Sequence, residues 1–271
     1  MTTYGRSWRF DSRTRDDLCA LAGACTLVLP LGSTEQHGHH LPVSVDTAIV
    51  VALAERAVSQ AAESVPVLML PALPFGFAHH HLPFGGTISL RSETYVDVLI
   101  DIVGGLAEQG FDRLVLLNGH GGNDSAMRTA LDRLSYEFGS TVHLAASSYW
   151  TLAADALAET GLDSTLVPGH AGHFETSMML AVAPQLVRLD ARPDDRGVTQ
   201  PLGIVDLPGA HIRRPNLWGP SDGRTDDARQ ASADIGERAI ADAADRIADF
   251  LIRFHHSAAE GSLSDGDLAT S

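Results

Sequence analysis

The stretch LPLGSTEQHGHHLPVSVDT, residues 29–47, places Glu35, His37, His39, His40 and Asp46 within twelve positions, directly after an apolar run. Two later stretches carry side chains of the same kind. NGHGGND holds His120 between glycines, and GHAGHFETS holds His170, His173 and Glu175. Imidazole and carboxylate are the natural ligands of zinc, manganese and iron(II). Glu35 and His37, two apart, project to the same side of an extended segment. Three carboxylates and two histidines suffice for two divalent ions sharing one aspartate. Two such ions polarise a carbonyl and activate water at neutral pH. Hydrolysis of an amide-like bond also needs an acid for the leaving nitrogen, a task open to His170. Each residue alone has a plainer explanation. Asp46 is a good N-cap type, and Glu175 suits the first turn of a helix. His39, His40, His79, His80 and His81 read as polar loop residues, because adjacent side chains rarely all face one site. His143, His255 and His256 read as structural. It is the joint pattern that points to a metal site.

The elements needed to position these residues are legible as alternating patterns. Short apolar runs at 24–32, 65–73, 111–119 and 140–150 read as buried strands. Between them, residues 46–63, opened by Asp46, residues 92–110, opened by Ser92 and closed by Gly110, and residues 123–139 read as helices. This alternation predicts an α/β fold of three layers, a mostly parallel sheet with helices on both faces. In such a sheet, strand carboxyl ends and helix N-termini share one edge, where ligands bind. Further helices are expected over 150–162, after GHAGHFETS up to Pro184, and over 227–254. Residues 189–226, rich in Asp, Arg, Pro and Gly, read as a long loop or lid. A single hydrolase domain over 1–256, with a disordered polar tail over 257–271, is the economical division.

Composition narrows the function. With 19 basic and 34 acidic residues the net charge is −15, and no basic patch larger than Arg213–Arg214 stands out, which argues against a nucleic-acid partner. Two cysteines make no disulfide framework, and no run has the length of a signal peptide or membrane span. A soluble cytoplasmic protein without membrane partner is expected. No G-x-S-x-G elbow, P-loop, H-E-x-x-H or complete G-x-G-x-x-G occurs, so covalent serine or cysteine chemistry has little support.

PLGSTEQHGHHLPVSVDT, with a Glu-x-His followed nine residues later by Asp46, resembles the first signature of the creatininase family. GTISLRSETY, LVLLNGHGGN and GHAGHFETS resemble its later signatures, in order. The resemblance covers roughly residues 27–180. It implies a creatininase-like α/β fold and two divalent ions, zinc, manganese or iron. It implies a homo-oligomer, a hexamer built as a trimer of dimers. By motif, Glu35, His37, Asp46 and His120 would be ligands. Asp46 would bridge, with Glu35 and His120 on one ion and His37 on the other, and His170 would be the catalytic histidine. Creatininase itself has NGHYEN, whose Glu serves the second ion. Gly122 stands at that position here, and Glu175 of the ETS motif is the implied fifth ligand and a second catalytic candidate. The function implied is a metal-dependent amidohydrolase cleaving a C–N bond of a small cyclic or linear amide. A mycofactocin-type peptidase and a lactone or sugar-ring hydrolase are alternatives in the same site. A catalytically silent metal-binding assembly protein is the non-enzyme alternative. Loop residues 75–87 are expected to line the pocket, with Trp150 and Trp218 as aromatic walls.

Overall fold

The computed structural model describes residues 8–160, 167–193 and 218–260. The four apolar runs become four parallel strands: β1 (Thr26–Leu31), β2 (Val67–Met69), β3 (Arg113–Asn118) and β4 (His143–Ser148), in the order β2-β1-β3-β4. β1 pairs with β3 along its whole length, from Thr26 opposite Arg113 to Leu31 opposite Asn118. Side chains alternate across the sheet, as the two-residue period of a strand requires. Val28, Val115 and Leu117 enter one core, and Leu27, Leu29, Leu114 and Leu116 enter the other. Burying each such side chain is worth about 1.5–3 kcal/mol, so the central strands are a stiff platform for whatever their ends carry.

Helices cover both faces. α1 (Arg15–Cys19) precedes the sheet, with Thr14 and Asp17 forming a capping box. α2 (Val45–Ala61) follows β1 and buries Ile49, Leu53, Ala57 and Val58 on the Val28 face. α3 (Ser92–Glu108) and α4 (Asp124–Phe138) cover the opposite face through Leu99, Val103, Met127 and Leu134. After β4 come two short helices, α5 (Tyr149–Leu152) and α6 (Ala154–Ala158), then α7 (His173–Val182) and the long α8 (Ala233–Glu260). α7 and α8 join α2 in the first core. Among the described residues, no helix is long and apolar enough to cross a membrane.

Several boundaries differ from the sequence expectation. Ser44, not Asp46, occupies the N-cap of α2, and Asp46 sits buried in its first turn. Arg91 caps α3, and Ser92 is its first helical residue. The helix expected over 150–162 breaks at Ala153 into α5 and α6, and residues 161 and 162 lie outside the described residues. The final helix begins at Ala233 and runs to Glu260, four residues into the segment expected to be a tail. Its amphipathic pattern persists there, since Ala258 is still buried. Residues 261–271, residues 1–7 and the 194–217 part of the expected loop, with Arg213 and Arg214, lie outside the described residues.

The topology decides where a site can form. From β1 the chain crosses by α2 to β2 at the sheet edge. It then returns by α3 on the other face to β3, which lies on the opposite side of β1. The winding therefore reverses between β1 and β3, and a crevice opens beyond their carboxyl ends. The stretches carrying Glu35 and His120 leave from those two ends.

Candidate metal centre

β1 ends at Leu31, and Glu35 and His37 follow on a loop tied back by Glu35 N–H donating to Val43 O at 2.9 Å. Asp46 enters from the first turn of α2, where the helix dipole favours a carboxylate. β3 ends at Asn118, and Gly119 lets the chain pass directly over α2. A Cβ on Gly119 would stand 2.7 Å from Val50 Cβ and 3.0 Å from Asp46 O. That close approach brings His120 beside Asp46. Glu175 lies in the first turn of α7, and His170 in the turn before it. Ala171 between them has a φ of 52°, a conformation costly for a residue with a Cβ. Its N–H donates to Glu175 Oε2 at 2.6 Å, so this turn orients the carboxylate.

The six residues converge, and all are buried. His120 Nε2 lies 3.2 Å from Glu35 Oε2, and its Nδ1 3.5 Å from Asp46 Oδ2. His37 Nε2 lies 3.7 Å from Asp46 Oδ1 and 3.5 Å from Glu175 Oε2. Two groups, Glu35–Asp46–His120 and His37–Asp46–Glu175, each offer ligand atoms within 4.8 Å of one another, and they share Asp46. A third group of the same reach, Glu35–His37–His170, overlaps them. His170 Nδ1 is 3.6 Å from Glu35 Oε1.

The hydrogen bonds around the imidazoles follow the pattern expected behind a metal. His37 Nδ1 donates to Glu35 O at 3.1 Å, His120 Nε2 to Phe77 O at 3.2 Å, and His170 Nε2 to Gln36 O at 2.8 Å. A carbonyl can only accept, so each bond fixes which nitrogen of the neutral ring carries the proton and turns the other ring nitrogen toward a carboxylate. Glu35 Oε1, His37 Nε2 and Asp46 Oδ2 are buried without a hydrogen-bond partner. Among the described residues, no arginine pairs with Glu35, Asp46 or Glu175 in a salt bridge. Three buried carboxylates without a fixed cation are expensive. Burial, reinforced by the charge of Asp46, holds Glu35 well above the usual carboxylate range, and burial raises Glu175. Burial alone would lower His37, but the Glu175 and Asp46 carboxylates hold it well above its ordinary value. Burial lowers His120 and, with the neighbouring His37 and His81, lowers His170 further. The donor set and its orphaned atoms fit divalent cations.

The histidine-rich loops divide differently from the expectation. His39 is exposed and bonded to Asp222 Oδ2 at 2.8 Å, a polar loop residue as expected. His40 is not a solvated loop residue: it is buried, with Nε2 2.9 Å from Thr176 Oγ1. His79–Phe84 form a 3₁₀ turn, whose three-residue period sends consecutive side chains in different directions. His79 turns outward to Ser89, whereas His80 stacks over His120 and lies tilted against Trp218. His81 turns inward, with Nε2 3.3 Å from Glu35 Oε1. Reading the three as loop histidines missed His81, and it missed Gln36, whose amide lies against His81 and His170. Only Pro83 and the glycines after it hinted at a tight turn there. Trp218 lies over His81 and His170 and lines a cavity of about 180 Å³. Trp150 does not line it: as the second residue of α5 it packs edge-on against Tyr149 and against the α2–α8 core. Within the expected 75–87 lining, His80 and His81 reach the cavity.

The creatininase family profile, described as creatinine amidohydrolase, matches residues 12–251. The chain belongs to the creatininase family. Creatinine amidohydrolase of Pseudomonas putida is 33% identical over 246 residues, covering 85% of this chain and 90% of its own length. A mycofactocin precursor peptide peptidase of Mycobacterium tuberculosis is 37% identical over 174 residues, 61% of each chain. A solved structure described as "Creatininase Mn" superposes with a TM-score of 0.78 at 29% identity, covering 92% of this chain and 98% of that one. This creatininase-family member is thus a metal-dependent hydrolase by kinship. Gly122 stands where creatininase itself has the Glu of NGHYEN, and a Cβ on Gly122 would collide with Phe77 O and His120 Nε2, so a glutamate there would require this loop to shift. Glu175 instead stands beside His37.

Proposed function

We propose that Glu35, Asp46 and His120 hold one divalent ion, that His37, Asp46 and Glu175 hold a second, and that the centre hydrolyses a C–N bond of a small amide. The observation that carries this reading is the pair of ligand groups sharing Asp46, with three buried atoms that lack a hydrogen-bond partner among the described residues. Zinc, manganese and iron(II) all suit these ligands. Such ions, when bound, supply Lewis acidity toward a carbonyl and lower the pKa of water.

The chain's own residues do the rest. Ala171 N–H keeps Glu175 turned toward His37. His170, with its proton fixed on Nε2, offers a bare Nδ1 to the site. That nitrogen accepts a proton from the attacking water and returns it to the leaving nitrogen. His80, His81 and Trp218 wall the cavity with flat π faces. The cavity's modest volume favours a small substrate or the end of a larger one, and likeness to a mycofactocin precursor peptide peptidase supports a peptide terminus as the second reading. Exposed Val43, Phe75, Leu82 and Ile88 are apolar side chains of the kind that assembly into a homo-oligomer would cover.

The test is a panel of lactams, formamides, short peptides and lactones assayed with zinc, manganese and iron(II). Metal-dependent amide turnover supports the proposal. Turnover of lactones alone, or metal binding without turnover of any member, overturns it.

A further inference from the structure

The side chain of Gln36 sits at the crossing of four groups. Its Oε1 accepts from Gly38 N–H at 2.9 Å. Its Nε2 lies 3.0 Å from Gly223 O, 2.9 Å from His81 Nδ1 and 3.1 Å from His170 Nε2. The amide orientation is settled by its partners, since exchanging oxygen and nitrogen would set Oε1 against Gly223 O and Nε2 against a donor. An amide nitrogen has two hydrogens. One goes to Gly223 O. The other cannot go to His170 Nε2, which already carries the proton donated to Gln36 O at 2.8 Å. It goes to His81 Nδ1, which is therefore the bare nitrogen of that ring. Neutral His81 must then carry its proton on Nε2, the atom 3.3 Å from Glu35 Oε1. Burial and the neighbouring imidazoles keep His81 far below its ordinary pKa, in agreement with a neutral ring.

His81 and His170 therefore hold the same tautomer but present opposite ends. Their rings stack at 4.2 Å between centroids with an angle of 16°. His81 places its Nε2–H 3.3 Å from Glu35 Oε1 without closing a hydrogen bond to it, and His170 places a bare Nδ1 3.6 Å from the same oxygen. The contrast with the candidate ligands is chemical. His37 and His120 each have a carbonyl behind them to accept the proton that a ligating imidazole must carry on its far nitrogen. His81 has an amide N–H behind it, which can accept nothing.

We propose that Gln36 is a positioning residue that fixes the proton of His81 on Nε2, makes that N–H the hydrogen-bond donor of the site beside the acceptor His170, and keeps His81 out of the ligand set. The donor is placed for a lone pair on a substrate's carbonyl oxygen or leaving nitrogen. This use of His81 rests on the hydrolase reading above, whereas its tautomer does not.

The experiment is a two-bond ¹⁵N–¹H correlation spectrum of histidine-labelled full-length protein, metal-free and zinc-loaded. Signals are assigned by their loss in His81→Gln and His170→Gln. Both rings are expected as Nε2–H tautomers with and without zinc. In Gln36→Met, His81 is expected to become a mixture or Nδ1–H, while His170, held by the main-chain oxygen of residue 36, stays unchanged. His81 found as Nδ1–H in the unsubstituted protein overturns the proposal without any variant. An unaltered His81 in a folded Gln36→Met overturns the positioning role. With an amide substrate in hand, Gln36→Met is expected to lower kcat about 10–100-fold at unchanged metal content. Unchanged kcat overturns the donor role. If no amide is turned over, the hydrolase reading fails while the spectra still decide the tautomer.

Discussion

Replacing Gly122 by Ala should damage the centre from a position that contributes no ligand. Neither Gly121 nor Gly122 has a left-handed backbone, so the difference between them is steric. A Cβ on Gly122 falls on Phe77 O and His120 Nε2, the two atoms of the hydrogen bond that fixes the His120 tautomer. Phe77 cannot simply retreat, because its N–H is held by Asn123 Oδ1 at 2.9 Å. Overpacking of this kind costs about 1–3 kcal/mol, and loss of the His120–Phe77 bond about 0.5–1.5 kcal/mol more. At about 2–4 °C per kcal/mol for a domain of this size, the metal-free protein should melt roughly 3–18 °C lower. Loss of a bond that orients a ligand lowers metal affinity about 10–100-fold. The gain in melting temperature on adding saturating metal should therefore shrink as well. A Cβ on Gly121 meets nothing within 4 Å, so Gly121→Ala should stay within about 0.5 kcal/mol of the parent. The assays are thermal melts with and without metal, and chelator competition. If Gly122→Ala melts and loads like Gly121→Ala, the steric account of this loop is wrong.

Three further outcomes are expected. His170→Ala should keep its metal by elemental analysis while amide turnover falls about a hundredfold or more; loss of an ion with the ring would instead place His170 in the ligand set with Glu35 and His37. Iodoacetamide at pH 8 should alkylate exposed Cys19 in the native protein and spare Cys25, which is buried and whose thiol burial pushes up to about 12; peptide mapping that finds both labelled at similar rates would contradict the packing of β1. Burial, with the charges of Arg224 and Arg192, lowers His40 to about 4. A depressed histidine favours the fold in its neutral form, so this contribution is complete above about pH 6.5 and is lost as pH falls toward 4, by at most about 3 kcal/mol. Urea midpoints for the parent and His40→Gln should therefore converge between pH 7 and 4.5, and a constant gap across that range would refute the assignment.

The strands were legible because each is a short apolar run ended by glycine, proline or a polar residue, and buried parallel strands need nothing else. The helices were legible in kind but not in their first residues. Asp46 looked like a cap because it is a capping type, yet its carboxylate is used by His37 and His120 rather than by the helix backbone. The ligand candidates were legible as types on three stretches, and the switch between β1 and β3 explains why those stretches meet. What stayed hidden depended on direction within tight turns. His79, His80 and His81 are adjacent in sequence, and only the 3₁₀ geometry separates an outward, a stacked and an inward ring. Gln36 lies between two ligand candidates, and simple alternation would send it away from the site. Its long side chain bends to a partner 45 positions later. Trp150 and Trp218 were indistinguishable by type, since an indole serves a core and a pocket wall equally well.

The proposal of one two-ion centre rests on the shared Asp46. Elemental analysis of the reconstituted protein, beside Asp46→Asn and Glu175→Gln, tests that directly. The structure predicts two ions per chain in the parent, the loss of both or of nearly all affinity in Asp46→Asn, and the loss of one in Glu175→Gln. Full retention of two ions by Asp46→Asn, or a parent that binds none, would contradict it.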